Sequence, residues 1–203
     1  MIGADVALDF TVPAVSQAVV EFALENGVPV LVGTSGWSSE RISRIQHTMS
    51  DESSAVVIVP NFSIGSVLAT SFAATAARFY DSIEIIEAHA ATKLDSPSGT
   101  ATRTAELIGQ ARTSLGPVIA PHADQRARGQ QVSSVPIHSL RMQGVVAKQD
   151  VIFGGNGELL VISHETLSPS SYEKGILLAL RAMSGASGVL IGLDKLIDLA
   201  AGE

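Results

Sequence analysis

Three short apolar runs, Ala4 to Phe10 (ADVALDF), Val28 to Val32 (VPVLV) and Ala55 to Val59 (AVVIV), alternate with segments whose apolar residues recur at helical spacing. Repetition of this kind predicts parallel strands with helices on both faces, and it constrains the fold more than any other feature of the chain. Val15, Val19 and Phe22 mark the first helix. Thr11-Val12-Pro13 opens it with a capping side chain and a proline suited to a first turn, and Asn26-Gly27 closes it. Gly33-Thr34-Ser35-Gly36 forms the next loop, Ser39 to about Met49 the second helix, and Ile64 to Tyr80 a long Ala-rich helix.

The texture then changes. Ile83 to His89 reads as a strand, and Pro97-Ser98-Gly99 starts a helix that runs to about Ser114. Leu115 to Gln131 shows no period and reads as a long loop. Three β-like runs follow, Val132 to Met142, Val145 to Phe153 and Leu159 to His164, with Gly154-Gly155-Asn156-Gly157 turning the last pair. They are expected to form an antiparallel meander. Ser170 to Met183 and Leu193 to Ala200 read as closing helices. An α/β first part, a mixed α+β second part and a helical tail returning to the first suggest two domains.

Several function classes are set aside by composition. A net charge of −7 with a pI near 5.2 gives no footprint for a phosphate backbone, so nucleic acid is not an expected partner. The absence of cysteine removes disulfides, thiolate metal sites and thiol nucleophiles, and fits a reducing cytoplasm. No run of about 18 apolar residues exists, so no membrane span is expected, and His47 and His122 lack a partner at metal-ligand spacing.

The densest chemistry lies between Glu87 and Thr100. Ser98, Gly99 and Thr100 stand where a helix begins, so backbone N–H groups and two hydroxyls there suit a carboxylate or phosphate. Lys93 adds a point charge, and His89 at a strand end suits general acid–base work near neutrality. Taken singly, each has a plain structural reading; their compression into one strand-to-helix connection favours a site. Gly33-Thr34-Ser35-Gly36 lies between a strand and a helix, as either an ordinary turn or a loop along a dinucleotide. The Gly-rich dinucleotide fingerprint is absent from the first strand-to-helix turn. His138, Arg141 and His164 alternate with apolar residues on strands and read as solvent-facing, while Arg126 and Arg128 in the long loop could reach an anion or simply solubilise it.

These segments together resemble the dihydrodipicolinate reductase family of bacterial lysine and diaminopimelate synthesis. Asp9-Phe10-Thr11 is similar to the family's DFT, Gly33 to Trp37 to its GTTGF loop, and Asn61 to Gly65 to its NFS-x-G. The stretch from His89 to Thr100 is similar to its HH-x-x-K-x-D-x-PSGT signature. The resemblance implies a dinucleotide-binding (Rossmann-like) parallel sheet, partial in this chain, over residues 1–62, with the tail 173–203 packing back on it. It implies a substrate-binding and tetramerisation domain with an open mixed sheet over residues 63–172. The implied reaction is hydride transfer from NADH or NADPH to a cyclic imine dicarboxylate, by a cytoplasmic homotetramer. By the same resemblance His89 is the general acid and Lys93 its electrostatic and proton-donating partner, while Ser98, Gly99 and Thr100 hold a substrate carboxylate. Gly33, Thr34 and Ser35 lie along the nicotinamide half of the cofactor, with Asn61, Phe62 and Ser63 at a hinge near it.

Three departures from the pattern carry expectations of their own. The chain starts almost at DFT, without the family's first strand and G-x-x-G-x-x-G turn, so weak cofactor binding, impaired activity and an exposed sheet edge are expected. The family's His-His reads His89-Ala90, and its Ser-Arg before the last helix reads Ser168-Pro169. A non-catalytic paralogue that serves as a binding or scaffold subunit is the alternative these departures raise.

Overall fold

The structure is a computed structural model that describes residues 3–49 and 54–197. It divides into two compact units, Met1–Ile64 with Tyr172–Glu203, and Gly65–Ser171.

The first unit is built on a parallel four-stranded sheet in the order β1-β2-β3-β9, from β1 (Ala7–Asp9), β2 (Val30–Val32), β3 (Ala55–Ile58) and β9 (Gly188–Ile191). The short apolar strands β2 and β3 are buried along their whole length, as central parallel strands must be. Helix α1 (Pro13–Glu25) begins on Pro13, whose missing N–H costs nothing in a first turn. Its cap position is Val12, which makes no side-chain cap bond, so the expected capping side chain is not there. Thr11 instead gives both its N–H and its hydroxyl to Asp9 Oδ1, at 3.1 and 2.5 Å. Helix α2 (Ser39–Thr48) is capped by Ser38, whose hydroxyl accepts from Arg41 N. Val20, Ala23, Val30, Val32, Ile45 and Val56 form the core. Strand β1 is the sheet edge, and Leu8, Phe10, Val12 and Val15 beside it are exposed.

The tail differs from expectation. Glu173–Ala182 is helix α5, but Gly188–Ile191 is the strand β9, paired in parallel with β3, where no strand was expected. Leu193–Lys195 is a single 3-10 turn, and the expected last helix otherwise extends to residues outside those described.

The second unit is a five-stranded mixed sheet in the order β5-β6-β4-β7-β8, from β4 (Ser82–Ala90), β5 (Gln130–Val132), β6 (Val135–Met142), β7 (Ala147–Gly155) and β8 (Glu158–Thr166). The expected meander is not formed. β7 and β8 do make an antiparallel hairpin turned at Asn156-Gly157, but β4 inserts between β6 and β7 and pairs with β6 in parallel. A parallel pair needs a long crossover, which helix α4 (Gly99–Ala111) and the aperiodic stretch after it supply. Helices α3 (Ile64–Ala76) and α4 send Ala73, Ala101, Ala105 and Ile108 into a core with Ile83, Ile85, Val135, Ile137, Val151 and Phe153.

Alternation along β4 gives the sheet two unlike faces. Ile83, Ile85 and Glu87 are fully buried with the helices, whereas Ile86 is exposed on the other face. Register places Ile86 beside His138 and Asp150, and Ala88 beside Leu140 and Lys148. Leu140, Met142, Leu159 and Val161 are also exposed on that face.

Candidate active site

The carboxyl end of β4 carries the most connected polar group of the second unit. Glu87 is 0% exposed, an expensive place for a carboxylate unless charges and hydrogen bonds compensate it. Arg141 on β6 supplies them with a two-pronged contact, Nη1 to Oε2 and Nη2 to Oε1, each 2.9 Å. His89 Nδ1 lies 2.6 Å from Glu87 Oε2, and Ser98 N donates to Oε1 at 3.2 Å. Burial pushes the Glu87 carboxyl up, but hydrogen bonds from Arg141, Ser139 and His89 and the charge of Arg141 together hold it below its ordinary value.

The strand-to-helix connection is fastened to the same group. Arg141 Nη2 also donates to Asp95 O at 2.6 Å, and Lys93 Nζ meets Asp95 Oδ1 at 2.7 Å. Ser98 caps α4 by accepting from Ala101 N at 3.2 Å and is 1% exposed, so its hydroxyl and N–H are both occupied within the protein. Gly99 and Thr100 are the first helical residues, whose N–H groups the intrahelical ladder does not use. A Cβ on Gly99 would meet no atom within 4 Å, so the helix opens onto free space there. His89, Lys93, Gly99 and Thr100 thus share one connection, and Ser98 belongs to its framework. Below them Gln149 Nε2 donates to Thr104 Oγ1, which also lies 3.0 Å from Thr70 Oγ1. His164 pairs in register with Gln149, and burial pushes its imidazole below the ordinary value.

The first unit has its own polar centre at the carboxyl end of its sheet. Asp9 is fully buried and accepts from Thr11 and Ser16; the Ser16 hydroxyl in turn accepts from Trp37 Nε1 at 3.0 Å. Burial raises the Asp9 carboxyl, yet the Ser16, Thr11 and Thr34 hydrogen bonds bring it below its ordinary value. Gly33 donates to Asp9 O at 2.9 Å, and the Phe10 and Phe62 rings stand 5.5 Å apart. A Cβ on Gly33 would lie 2.4 Å from Phe10 Cε1 and 2.8 Å from Phe62 Cε2, so only glycine lets these rings close over the loop. Asn61 Oδ1 accepts from Ser63 N at 2.8 Å, turning the chain into α3. Thr34, Phe62 and Ser63 are buried, Gly33 and Asn61 half-buried, and Ser35 exposed.

Parallel-sheet ligands bind beyond the carboxyl ends of the strands, where Phe10 and the 33–36 loop lie. With the Gly33 backbone covered by the two rings, the exposed Phe10 ring is the flat surface that would meet the nicotinamide end of a dinucleotide. Its pyrophosphate finds no Gly-rich turn among the described residues, since Val12 and Ser38 occupy the starts of α1 and α2.

Residues 1–62 match the family model of dihydrodipicolinate reductase, N-terminus, and residues 65–197 that of dihydrodipicolinate reductase, C-terminus. The chain belongs to the dihydrodipicolinate reductase family. It is 70% identical to a 4-hydroxy-tetrahydrodipicolinate reductase of Clavibacter michiganensis over 98% of this chain and 72% of that one. With one of Mycobacterium sp. (strain KMS) it is 46% identical over 96% of this chain and 81% of the relative. A dipicolinate-bound dihydrodipicolinate reductase from Paenisporosarcina sp. TG-14 superposes with a TM-score of 0.79 at 33% identity, over 97% of this chain and 75% of that chain. An amine dehydrogenase from Mycobacterium smegmatis, 10% identical with a TM-score of 0.55 over 98% of this chain and 77% of that one, shares the fold. Kinship with named reductases over nearly the whole chain makes this an oxidoreductase, and it does not favour a non-catalytic subunit. The N-terminal family domain is the nucleotide-binding one.

Within this reductase-family framework, several polar residues have roles that the sequence did not reveal. Arg141, expected to face solvent, reaches the buried Glu87. Arg128 forms an ion pair with Glu84, which His138 Nε2 also meets at 2.7 Å, an intrachain role that neither of its sequence readings named. Glu87 opens the chemically dense segment, yet the sequence assigned it no role; its signal is an acidic residue two positions before a histidine on an otherwise apolar strand, which places both on one face.

Proposed function

We propose that this chain performs its relatives' reaction, reducing 4-hydroxy-tetrahydrodipicolinate, after loss of water, with NADH or NADPH in the cytoplasm. The observation that carries this reading is the grouping of His89, Lys93 and the open start of α4 around the buried Glu87–Arg141 pair. When bound, the reduced nicotinamide supplies the hydride for an electron-poor carbon of the conjugated imine. The protein's task is then to hold two carboxylates and deliver a proton nearby. Gly99 and Thr100 take one carboxylate on backbone N–H and hydroxyl donors, Ser98 shapes that turn, and Lys93 supplies positive charge. His89 donates the proton from Nε2, since Nδ1 faces Glu87. The Gly33, Thr34 and Ser35 loop and the Asn61, Phe62 and Ser63 turn serve the cofactor, the exposed Ser35 by contact and Gly33 with the buried members by shaping the loop.

The test is NADPH oxidation with the imine substrate, together with calorimetric binding of dipicolinate, the ligand of the Paenisporosarcina relative. His89→Gln is expected to lower turnover by about 10²-fold or more while dipicolinate still binds. Unchanged turnover would remove His89 from its role. Trp37, the single tryptophan, donates to the Ser16 hydroxyl of α1 from the segment just after the 33–36 loop, and quenching of its fluorescence is the expected readout of cofactor binding.

We also propose a homotetramer, assembled through the open face of the mixed sheet, whose exposed Ile86, Leu140, Leu159 and Val161 favour burial against another copy.

A further inference from the structure

We propose that Glu87, clamped by Arg141, is a positioning residue that fixes the tautomer and orientation of His89 and ties them to the start of α4. The inference rests on the reading of His89 as proton donor and deepens it.

Donors from three elements converge on one carboxylate, with Ser139 beside Arg141 on β6 among them. Arg141 takes both oxygens from one side. His89 Nδ1 approaches Oε2 at 2.6 Å and Ser98 N approaches Oε1 at 3.2 Å. A carboxylate held by a guanidinium stays an acceptor, so Nδ1 must be the nitrogen that carries a proton in the neutral ring. Nε2 is then the only nitrogen able to give up a proton and take it back. During the reaction that proton passes from Nε2 to the substrate, and the ring is left neutral with its remaining proton on Nδ1. The Arg141 charge offsets that of Glu87, so the pair orients the ring without placing an uncompensated anion under a site for a dicarboxylate. The second oxygen fixes the N–H of Ser98, the cap of α4, so one side chain sets the spacing between the proton donor and the residues at Gly99 and Thr100.

Two histidine features guard against a purely structural explanation. His138 makes a similar contact with Glu84 through Nε2, the opposite nitrogen, and so offers an internal contrast within the same sheet. The chain has five histidines, few enough to resolve by nitrogen NMR, with the His89 signals assigned by their loss in His89→Gln.

The experiment measures the tautomer of neutral His89 by ¹⁵N NMR of imidazole-labelled full chain in alkaline solution, beside steady-state kinetics. The wild type is expected to show His89 with its proton on Nδ1 and His138 with its proton on Nε2. Glu87→Gln, and Glu87→Gln with Arg141→Met in case the single change leaves a buried cation that prevents folding, should move the His89 proton toward Nε2. Turnover should fall about a hundredfold, with KM for the imine changing by no more than about threefold. A wild-type His89 protonated on Nε2 overturns the proposal, even if both variants fail to fold. So does a folded variant that keeps the wild-type tautomer, or one whose turnover equals the wild type's. If His89→Gln itself retains full turnover, the proton-donor reading fails, whereas loss in His89→Gln without loss in a folded Glu87 variant defeats only the positioning role.

Discussion

Gly99 shows how much of this site depends on a side chain that is not there. Its backbone is ordinary helix and a Cβ would meet nothing, so the fold alone has no need of glycine at this position. Gly99→Ala is therefore expected to leave stability unchanged or raised by about 0.5 kcal/mol, through the smaller entropy of the unfolded chain. The added methyl would nevertheless occupy space beside the N–H groups read as the carboxylate cradle, and KM for the imine should rise about tenfold. Thermal melting and steady-state kinetics check the two halves separately; a variant unchanged in both would leave Gly99 without a binding role. Glu87 is the contrasting residue, since its buried side chain joins Arg141, His89 and Ser98, and that role was illegible in sequence. Its partner Arg141 lies 54 residues away, and only the pairing of β4 with β6 brings them together.

At the scale of the element, β4 concentrates the acid sensitivity of the second unit. Glu84 and Glu87 project to opposite faces, each held by an arginine and a histidine, and burial raises both carboxyls less than those partners lower them. Carboxyls depressed in the folded state contribute stability above the unfolded value, and that contribution disappears as pH falls through the folded value. The melting temperature should thus fall modestly below about pH 6.5, where the depressed His164 imidazole is charged only in the unfolded chain, and decline further as acid passes below the ordinary glutamate value of 4.5. Replacing Glu84 by Gln should flatten part of that decline, which melting curves from pH 7 down to 3 would detect. The sequence declared β4 clearly through its alternating IEIIEAH, and it equally declared the first three parallel strands and the β7–β8 hairpin. It did not declare partners. A period of two is the same in parallel and antiparallel pairs, so the β6 run read as part of a meander, and the four-residue β9 was too short to stand out beside α5.

At the scale of the whole molecule, the open sheet face gives the association proposal a direct measurement. Light scattering should find the mass of four 21.0 kDa chains, and Val161→Lys should shift the distribution to smaller species by placing a charge in the apolar face. A wild-type monomer would end that proposal without touching the chemistry at His89. The family and the reaction class were legible because motifs such as Asp9-Phe10-Thr11 and the His89 to Thr100 stretch are local in sequence. The network behind them was hidden because it depends on long-range register.

The sheet order β1-β2-β3-β9 also bears on how the protein is made. The first unit takes its fourth strand from residues 188–191, whereas the second is one uninterrupted segment, 65–171. As the chain leaves the ribosome, the middle of the molecule is complete while the unit that began first still lacks a strand on one side of β3. Closure of the parallel sheet therefore waits on residues 188–191, which are synthesised after the whole of the uninterrupted second unit.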